Sequence, residues 1–242
     1  MSIFSTSREK PKRIISPFYE LGFHGDEYLL SLVDTIIAGV EVFIETGTNV
    51  GSTLAYVGRS YPHVRCLSCE PARDAFSKAL DNTTDLLNVV IYNEKSEQFL
   101  KRLKQRCPNL FQLARIIFWL DAHGQGFNWP LKEEIAFITN NFTAAYILID
   151  DFKVPGLNCF GYDQYQGQEC SFEYIREDLN PERRYRLYYP NYTNRTSKHH
   201  PLRGWGLIDF GHLQEFTVPD FLSNKIQRID IEKPTANPNE PN

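Results

Sequence analysis

A chain of 242 residues, 42% hydrophobic and 23% charged, suits a single α/β domain with a sizeable core. Its formal charge of −4 supplies no general field for nucleic acid, and no apolar run reaches the ~18 residues of a membrane-spanning helix. The five cysteines follow no framework spacing, and the N-terminus carries no apolar leader, so a reducing, cytoplasmic setting is expected, with neither nucleic acid nor membrane as partner.

Residues 1–18 read as a polar arm, locally basic over Arg8–Arg13. His24–Ala38 has apolar residues at helical spacing, with Asp26 as its candidate cap. Val42–Glu45 is a buried strand ending on an acid, and a helix follows from Ser52 to Tyr61. Strand Val64–Cys69, helix Arg73–Leu80, strand Leu87–Tyr92 and the amphipathic helix Ser96–Gln105 come next. Strand Ile116–Leu120 runs into Asp121, helix Leu131–Asn140 follows, and strand Tyr146–Ile149 runs into Asp150. Phe172–Leu179 is a helix, and Arg186–Tyr189 and Gly206–Phe210 are a last pair of strands. The polar segment 233–242 has little to bury, which leaves one domain over 19–232. Alternating strands and helices specify a doubly wound, mostly parallel sheet, and the loop between the last two strands adds an antiparallel edge hairpin. Cys66 and Cys69 stand three apart on one strand, so they face opposite sides and read as packed thiols.

The stretch Val42–Thr53, VFIETGTNVGST, carries the most information. It is a strand, a turn through two glycines, and a helix start whose free N–H groups at Ser52 and Thr53 point outward. Glu45 adds a charged acceptor at the strand end. The glycine spacing departs from GxGxxG, and no lysine follows Gly51, which excludes the dinucleotide fingerprint and the P-loop. A second acid, Glu70, ends the next strand, at about the 20-residue spacing of a carboxylate that grips a ribose diol.

ETGTNVGST followed by Glu70-Pro71 resembles the first two motifs of class I S-adenosylmethionine (SAM)-dependent methyltransferases, over roughly residues 40 to 210. The resemblance implies a seven-stranded, Rossmann-like sheet with one reversed strand. It also implies that Gly47, Thr48, Asn49 and Gly51 wrap the methionine part of SAM while Glu70 binds its ribose. Ser96 falls where the family often places a small hydroxyl residue beside the adenine. Lys95 replaces the usual preceding acid, so an adenine contact and a plain helix cap both stay open for Ser96.

Glu45, Glu70, Asp121 and Asp150 all stand at strand ends, where sheets of this kind bind ligands. Asp121, Asp150 and Asp151 after adjacent strands repel one another unless a cation lies among them. Oxygen-only ligation suits Mg²⁺, or another divalent cation. The set is similar to the metal site of catechol-type and antibiotic-sugar O-methyltransferases. Asp150 and Asp151 can converge only if the chain bends directly after the strand. A metal lowers the pKa of an acceptor hydroxyl, and a base takes the proton. His123 is the first candidate, with metal-ligand and structural roles open beside it. Lys153 is the second, although the family's lysine lies where this chain has Ala122, His123 and Gly124. Asp121 also stands where it can contact cofactor directly.

The aromatic segment from Lys153 to Arg203 supplies Tyr162, Tyr165, Tyr188, Tyr189 and Tyr192 as pocket wall or as packing. Trp119, Trp129 and Trp205 read as core or pocket wall, and Lys198-His199-His200 as a loop. These features predict SAM-dependent, divalent-metal-assisted O-methylation of a small-molecule or sugar hydroxyl, possible as a homo-oligomer. A metal-independent methyltransferase and a SAM-binding protein without turnover are the alternatives.

Overall fold

The structure is a computed structural model that describes residues 19–112, 115–123, 129–197 and 200–231. The expected arm and tail, the basic Arg8–Arg13 cluster, Gly124, Lys198 and His199 lie outside those residues. A 3-10 turn, Tyr19–Gly25, leads into α1 (Glu27–Ile37). Asp26 caps α1 as expected, its carboxylate accepting the Tyr28 and Leu29 N–H groups at 2.9 and 3.1 Å. The helix therefore starts later than its apolar spacing suggests, and His24 belongs to the preceding turn. Phe23, His24 and Gly25 all have positive φ there, conformations that local propensity does not favour for the first two.

The elements then alternate: β1 (Val42–Thr46), α2 (Ser52–Ser60), β2 (Arg65–Cys69), α3 (Arg73–Thr83), β3 (Val89–Tyr92), α4 (Ser96–Arg106), β4 (Ile116–Leu120), α5 (Leu131–Asn141) and β5 (Ala145–Asp150). Every residue of β1 and β4 is buried, the signature of central parallel strands covered on both faces. A two-stranded hairpin follows, β6 (Gln164–Tyr165) and β7 (Gln168–Glu169), turning through Gln166 and Gly167 with positive φ at both. The expected helix at Phe172–Leu179 is a single turn, α6 (Phe172–Ile175), extended by a 3-10 turn. β8 (Tyr185–Pro190), β9 (Trp205–Phe210) and β10 (Ile226–Ile231) are the last strands of the described residues.

The sheet order is β10-β8-β9-β5-β4-β1-β2-β3. β1 to β5 run parallel, β9 inserts antiparallel between β5 and β8, and β10 pairs antiparallel with β8. Among the described residues the sheet thus has eight strands where seven were expected, and the β8–β9 pair lies inside the edge. β10 escapes sequence reading because only Ile226 of it is buried. Its outward Arg228 and Asp230 are the charges that protect an edge strand from further pairing. Cys66 and Cys69 are buried free thiols, as expected. Among the described residues no helix is long and apolar enough to cross a membrane.

The order reverses at β1, between β4 and β2. That switch point opens a crevice at the carboxyl ends of the strands.

Candidate active site

The glycine turn is shaped by its neighbours. Gly47 has φ +82°, and a Cβ there would come within 2.2 Å of the Asp121 carbonyl oxygen. No other residue fits such a close approach of β1 and β4. Gly51 (φ +83°) closes the turn through its N–H to the Thr48 carbonyl at 2.8 Å and starts α2. The turn rims a cavity of about 380 Å³ lined by Gly47, Asn49, Cys69, Glu70, Ser96 and Asp121, among others, a size within the range of small-ligand sites.

Glu70 is the best-anchored group in that rim. One carboxylate oxygen accepts the Asn49 N–H and the other the Ala72 N–H, both at 2.8 Å. Each oxygen keeps a free lone pair, which gives two parallel acceptors at the end of β2. Ser96 lines the same cavity and is buried, but Lys95 is the cap of α4, so Ser96 is not the helix cap. Its hydroxyl faces the buried Glu134 carboxyl of α5, which burial pushes up to about 7 against the Ser96 and Thr46 hydroxyls. None of the three groups reaches good hydrogen-bond geometry with another.

Other expected cofactor residues lie behind the turn. Glu45 does not line the cavity. It is buried beneath the loop, accepts a 2.7 Å hydrogen bond from the Ser68 hydroxyl, and burial drives its pKa well above the carboxylate range. The Ser68 hydroxyl also meets that of Thr48 at 2.5 Å. This is an internal brace between β1 and β2, not an acceptor open to the cavity. Thr53 accepts the Phe23 N–H at 3.2 Å and ties the N-terminal turn to α2. Gly51, Ser52, Thr48 and Thr53 support the loop from outside the cavity lining.

The acids after β4 and β5 converge, but each meets a cation of the chain itself. Asp151 has φ +49°, the bend that convergence with Asp150 requires. His24 reaches over the ends of the strands and places Nε2 at 2.8 and 2.9 Å from the two Asp150 oxygens. Burial lowers the pKa of that ring, but Asp150 beside it prevails and raises it to about 9. Burial likewise opposes ionisation of Asp150, and His24 overcomes it and lowers that pKa. His123 lies between Asp121 and Asp163, with Nε2 at 2.9 Å from the first and Nδ1 at 2.7 Å from the second. Against burial, the two carboxylates raise its pKa to about 11. Arg203 grips both oxygens of Asp151 through Nε and Nη2, and Nη2 also lies 3.1 Å from Asp163. Burial and the Asp150 charge push the Asp121 carboxyl up to about 7, against the hydrogen bond and charge of His123.

These partners bear on a metal. Among the described residues two groups of side chains could gather round one ion, His24/Asp150/Asp151 and His123/Asp151/Asp163. Neither contains Asp121, both contain a histidine, and both need Asp151, which Arg203 already holds. The all-oxygen set Asp121/Asp150/Asp151 expected for Mg²⁺ does not fit this arrangement. His123, fully engaged and cationic, does not fit the role of free base. Lys153 pairs with Glu169 at 2.5 Å beside the Tyr162 ring, and no hydrogen bond or ion pair joins it to the acids. Tyr188, Tyr189 and Tyr192 are core, as are Trp119 and Trp205. Tyr165 does reach the cluster, donating to Asp163 at 3.2 Å, and Trp129 stacks on Tyr174 at 4.7 Å. His24, Asp163 and Arg203 were missed from sequence because none ends a strand.

Comparison with known proteins supports the same frame. The O-methyltransferase from Bacillus cereus, solved in complex with S-adenosylhomocysteine (SAH), superposes with a TM-score of 0.55 at 15% identity, over 83% of this chain and 84% of that one. The O-methyltransferase TomG from Streptomyces achromogenes, involved in tomaymycin synthesis and solved with SAM, gives 0.52 at 14% identity, over 76% of this chain and 79% of that one. The chain has the class I methyltransferase fold. No family model matches it, and no curated protein sequence matches it. In this methyltransferase fold the cavity beside Glu70 and the glycine turn occupies the switch point, and the paired acids flank it on the β4–β5 side.

Proposed function

We propose that this protein transfers the methyl group of SAM to a hydroxyl oxygen of a small polar acceptor, a sugar or other small molecule, without a bound metal. The observation that carries the reading is Glu70: a carboxylate held by two backbone amides on the rim of a cavity bounded by the glycine turn and Asp121. That geometry suits a ribose diol, which donates two hydrogen bonds side by side. Gly47 and Asn49 then face the methionine portion, and Ser96 borders the adenine side.

Asp121 is the proton acceptor in this reading. Its pKa of about 7 matches the operating range of a general base, and His123 fixes its orientation. The acceptor oxygen attacks the methyl carbon in line with the sulfur, the carbon–sulfur bond breaks, and SAH leaves. The hydroxyl proton passes to Asp121. Holding the two reactants in line supplies much of the acceleration.

A second reading, metal assistance, draws on the His24/Asp150/Asp151 group. Its mixed nitrogen and oxygen donors suit Mn²⁺ or a similar transition ion better than Mg²⁺. Calorimetry with SAH and turnover across a panel of hydroxylated acceptors separate these readings. The expected results are SAH binding that weakens about 100-fold in Glu70→Ala, from the loss of charged hydrogen bonds, and turnover unchanged by EDTA. Turnover abolished by EDTA and restored by Mn²⁺ selects the metal reading. Binding without turnover leaves a SAM-binding protein, and no SAH binding removes the cofactor assignment.

A further inference from the structure

Four carboxylates, Asp121, Asp150, Asp151 and Asp163, crowd the ends of β4 and β5, and His24, His123 and Arg203 stand among them. Of the three cations only Arg203 touches an acid common to both groups able to collect an ion. We infer that Arg203 is a built-in replacement for a divalent cation: its guanidinium fills the place an ion would take and, through Asp163 and His123, positions Asp121. This inference rests on the methyltransferase reading for its catalytic part only.

The guanidinium is held there by the backbone. Gly161 donates its N–H to the Leu202 carbonyl at 2.9 Å, and Gly204 donates back to the Gly161 carbonyl at 2.8 Å, so Arg203 sits in a two-point clasp. Gly204 lies so close to the segment after β5 that a Cβ there would stand 2.0 Å from the Phe152 carbonyl oxygen. Phe152 N–H in turn donates to the Gly204 carbonyl at 2.9 Å. The Gly161 backbone also comes close to the tip of the side chain, where an added Cβ would lie 3.1 Å from Nη1. Asp163, on the far side, is fixed by its own N–H to the Asp151 carbonyl at 2.9 Å. A planar fork fixed on two carboxylates neutralises them with directional hydrogen bonds, which a hydrated lysine does not reproduce. From Arg203 the contacts run through Asp163 to His123 Nδ1, and from His123 Nε2 to Asp121. Arg203 is thus a positioning residue, one that does not itself touch the reacting atoms.

If the guanidinium stands in for the ion, removing it frees Asp151 and the Oδ1 atom of Asp163, whose Oδ2 stays on His123 and Tyr165, and opens a latent metal site. The test uses the full chain, Mn²⁺ as probe, and loss of the free-ion paramagnetic resonance signal as readout. Wild type is expected to leave Mn²⁺ free. Arg203→Met should bind it at least about tenfold more tightly, the range over which groups touching a ligand tune metal affinity. Arg203→Gln, similar in polarity and gentler on folding, serves as the second variant, and unchanged SAH binding reports an intact cofactor site. Tight stoichiometric Mn²⁺ binding by wild type overturns the inference. So does a folded Arg203→Met or Arg203→Gln that gains no ion binding. Neither metal arm depends on SAM, so failure of the methyltransferase reading shows separately, as absent SAH binding in wild type.

Discussion

Gly47 gives the most quantitative prediction. In Gly47→Ala the new methyl would lie 2.2 Å from the Asp121 carbonyl oxygen, 2.5 Å from its carbon and 2.8 Å from the Ala122 Cα. Carbon atoms pack at about 3.5 Å or more, so the start of the β4 loop must retreat by roughly 1 Å. That backbone is anchored, because Asp121 N–H donates to the Thr46 carbonyl at 3.0 Å. Overpacking of this kind costs about 1–3 kcal/mol, and the left-handed backbone of an alanine adds about 1–2 kcal/mol. The total of about 2–5 kcal/mol lowers Tm by roughly 5–15 °C for a chain of this size. Gly51→Ala is the internal control. It has the same sign of φ, but its Cβ meets Ala79 at 3.3 Å, so backbone strain of about 1–2 kcal/mol dominates. Differential scanning calorimetry of both variants, with SAH titrated into each, measures the contrast. Gly47→Ala should be the less stable and should also lose SAH affinity, because the displaced Asp121 lines the cavity. A Gly51→Ala variant that is equally or more destabilised would refute the close-approach argument.

Asp121→Asn should lower kcat by about 10²–10⁴-fold while SAH affinity stays within a few-fold. The wild-type rate should rise with pH through about 7 as Asp121 ionises, and the variant profile should be flat there. His24 supports the fold in its protonated form, because its pKa rises from 6.5 to about 9 on folding. That contribution, of the order of 3 kcal/mol, is complete below pH 6.5 and fades as pH rises through 9. Denaturant unfolding of His24→Gln should therefore show the largest deficit near pH 6 and little deficit near pH 10. Lys153→Ala, which loses a half-exposed pair with Glu169 and a contact with the Tyr162 ring, should leave kcat/KM unchanged; a large loss in a steady-state assay would return the lysine to the chemistry.

The frame was legible because its signals are local. An apolar run such as Ile116–Leu120 is a buried strand in any reading, and the strand-end acids Glu70, Asp121 and Asp150 follow from strand boundaries. Gly47 and Gly51 announced a tight βα turn, which the positive φ values match. Glu45 was misread because strand-end position does not tell which face a side chain takes. In the fold it points at Ser68, across β2, and not into the crevice. The site's charge balance was hidden for another reason. His24, Asp163 and Arg203 come from a 3-10 turn and two irregular loops, far apart in the chain, and only the folded backbone brings them together. The metal expectation rested on acids counted without those cations. β10 was missed because an edge strand with charged outward residues carries no apolar alternation.

The central claim is that SAM occupies the cavity beside the glycine turn, with its ribose on Glu70. A crystal structure of the wild-type chain with SAH tests it most directly. The account predicts both ribose hydroxyls within hydrogen-bond distance of the Glu70 carboxylate and the sulfur facing Asp121. SAH bound away from Glu70, or a cavity that stays empty at saturating SAH, would contradict it.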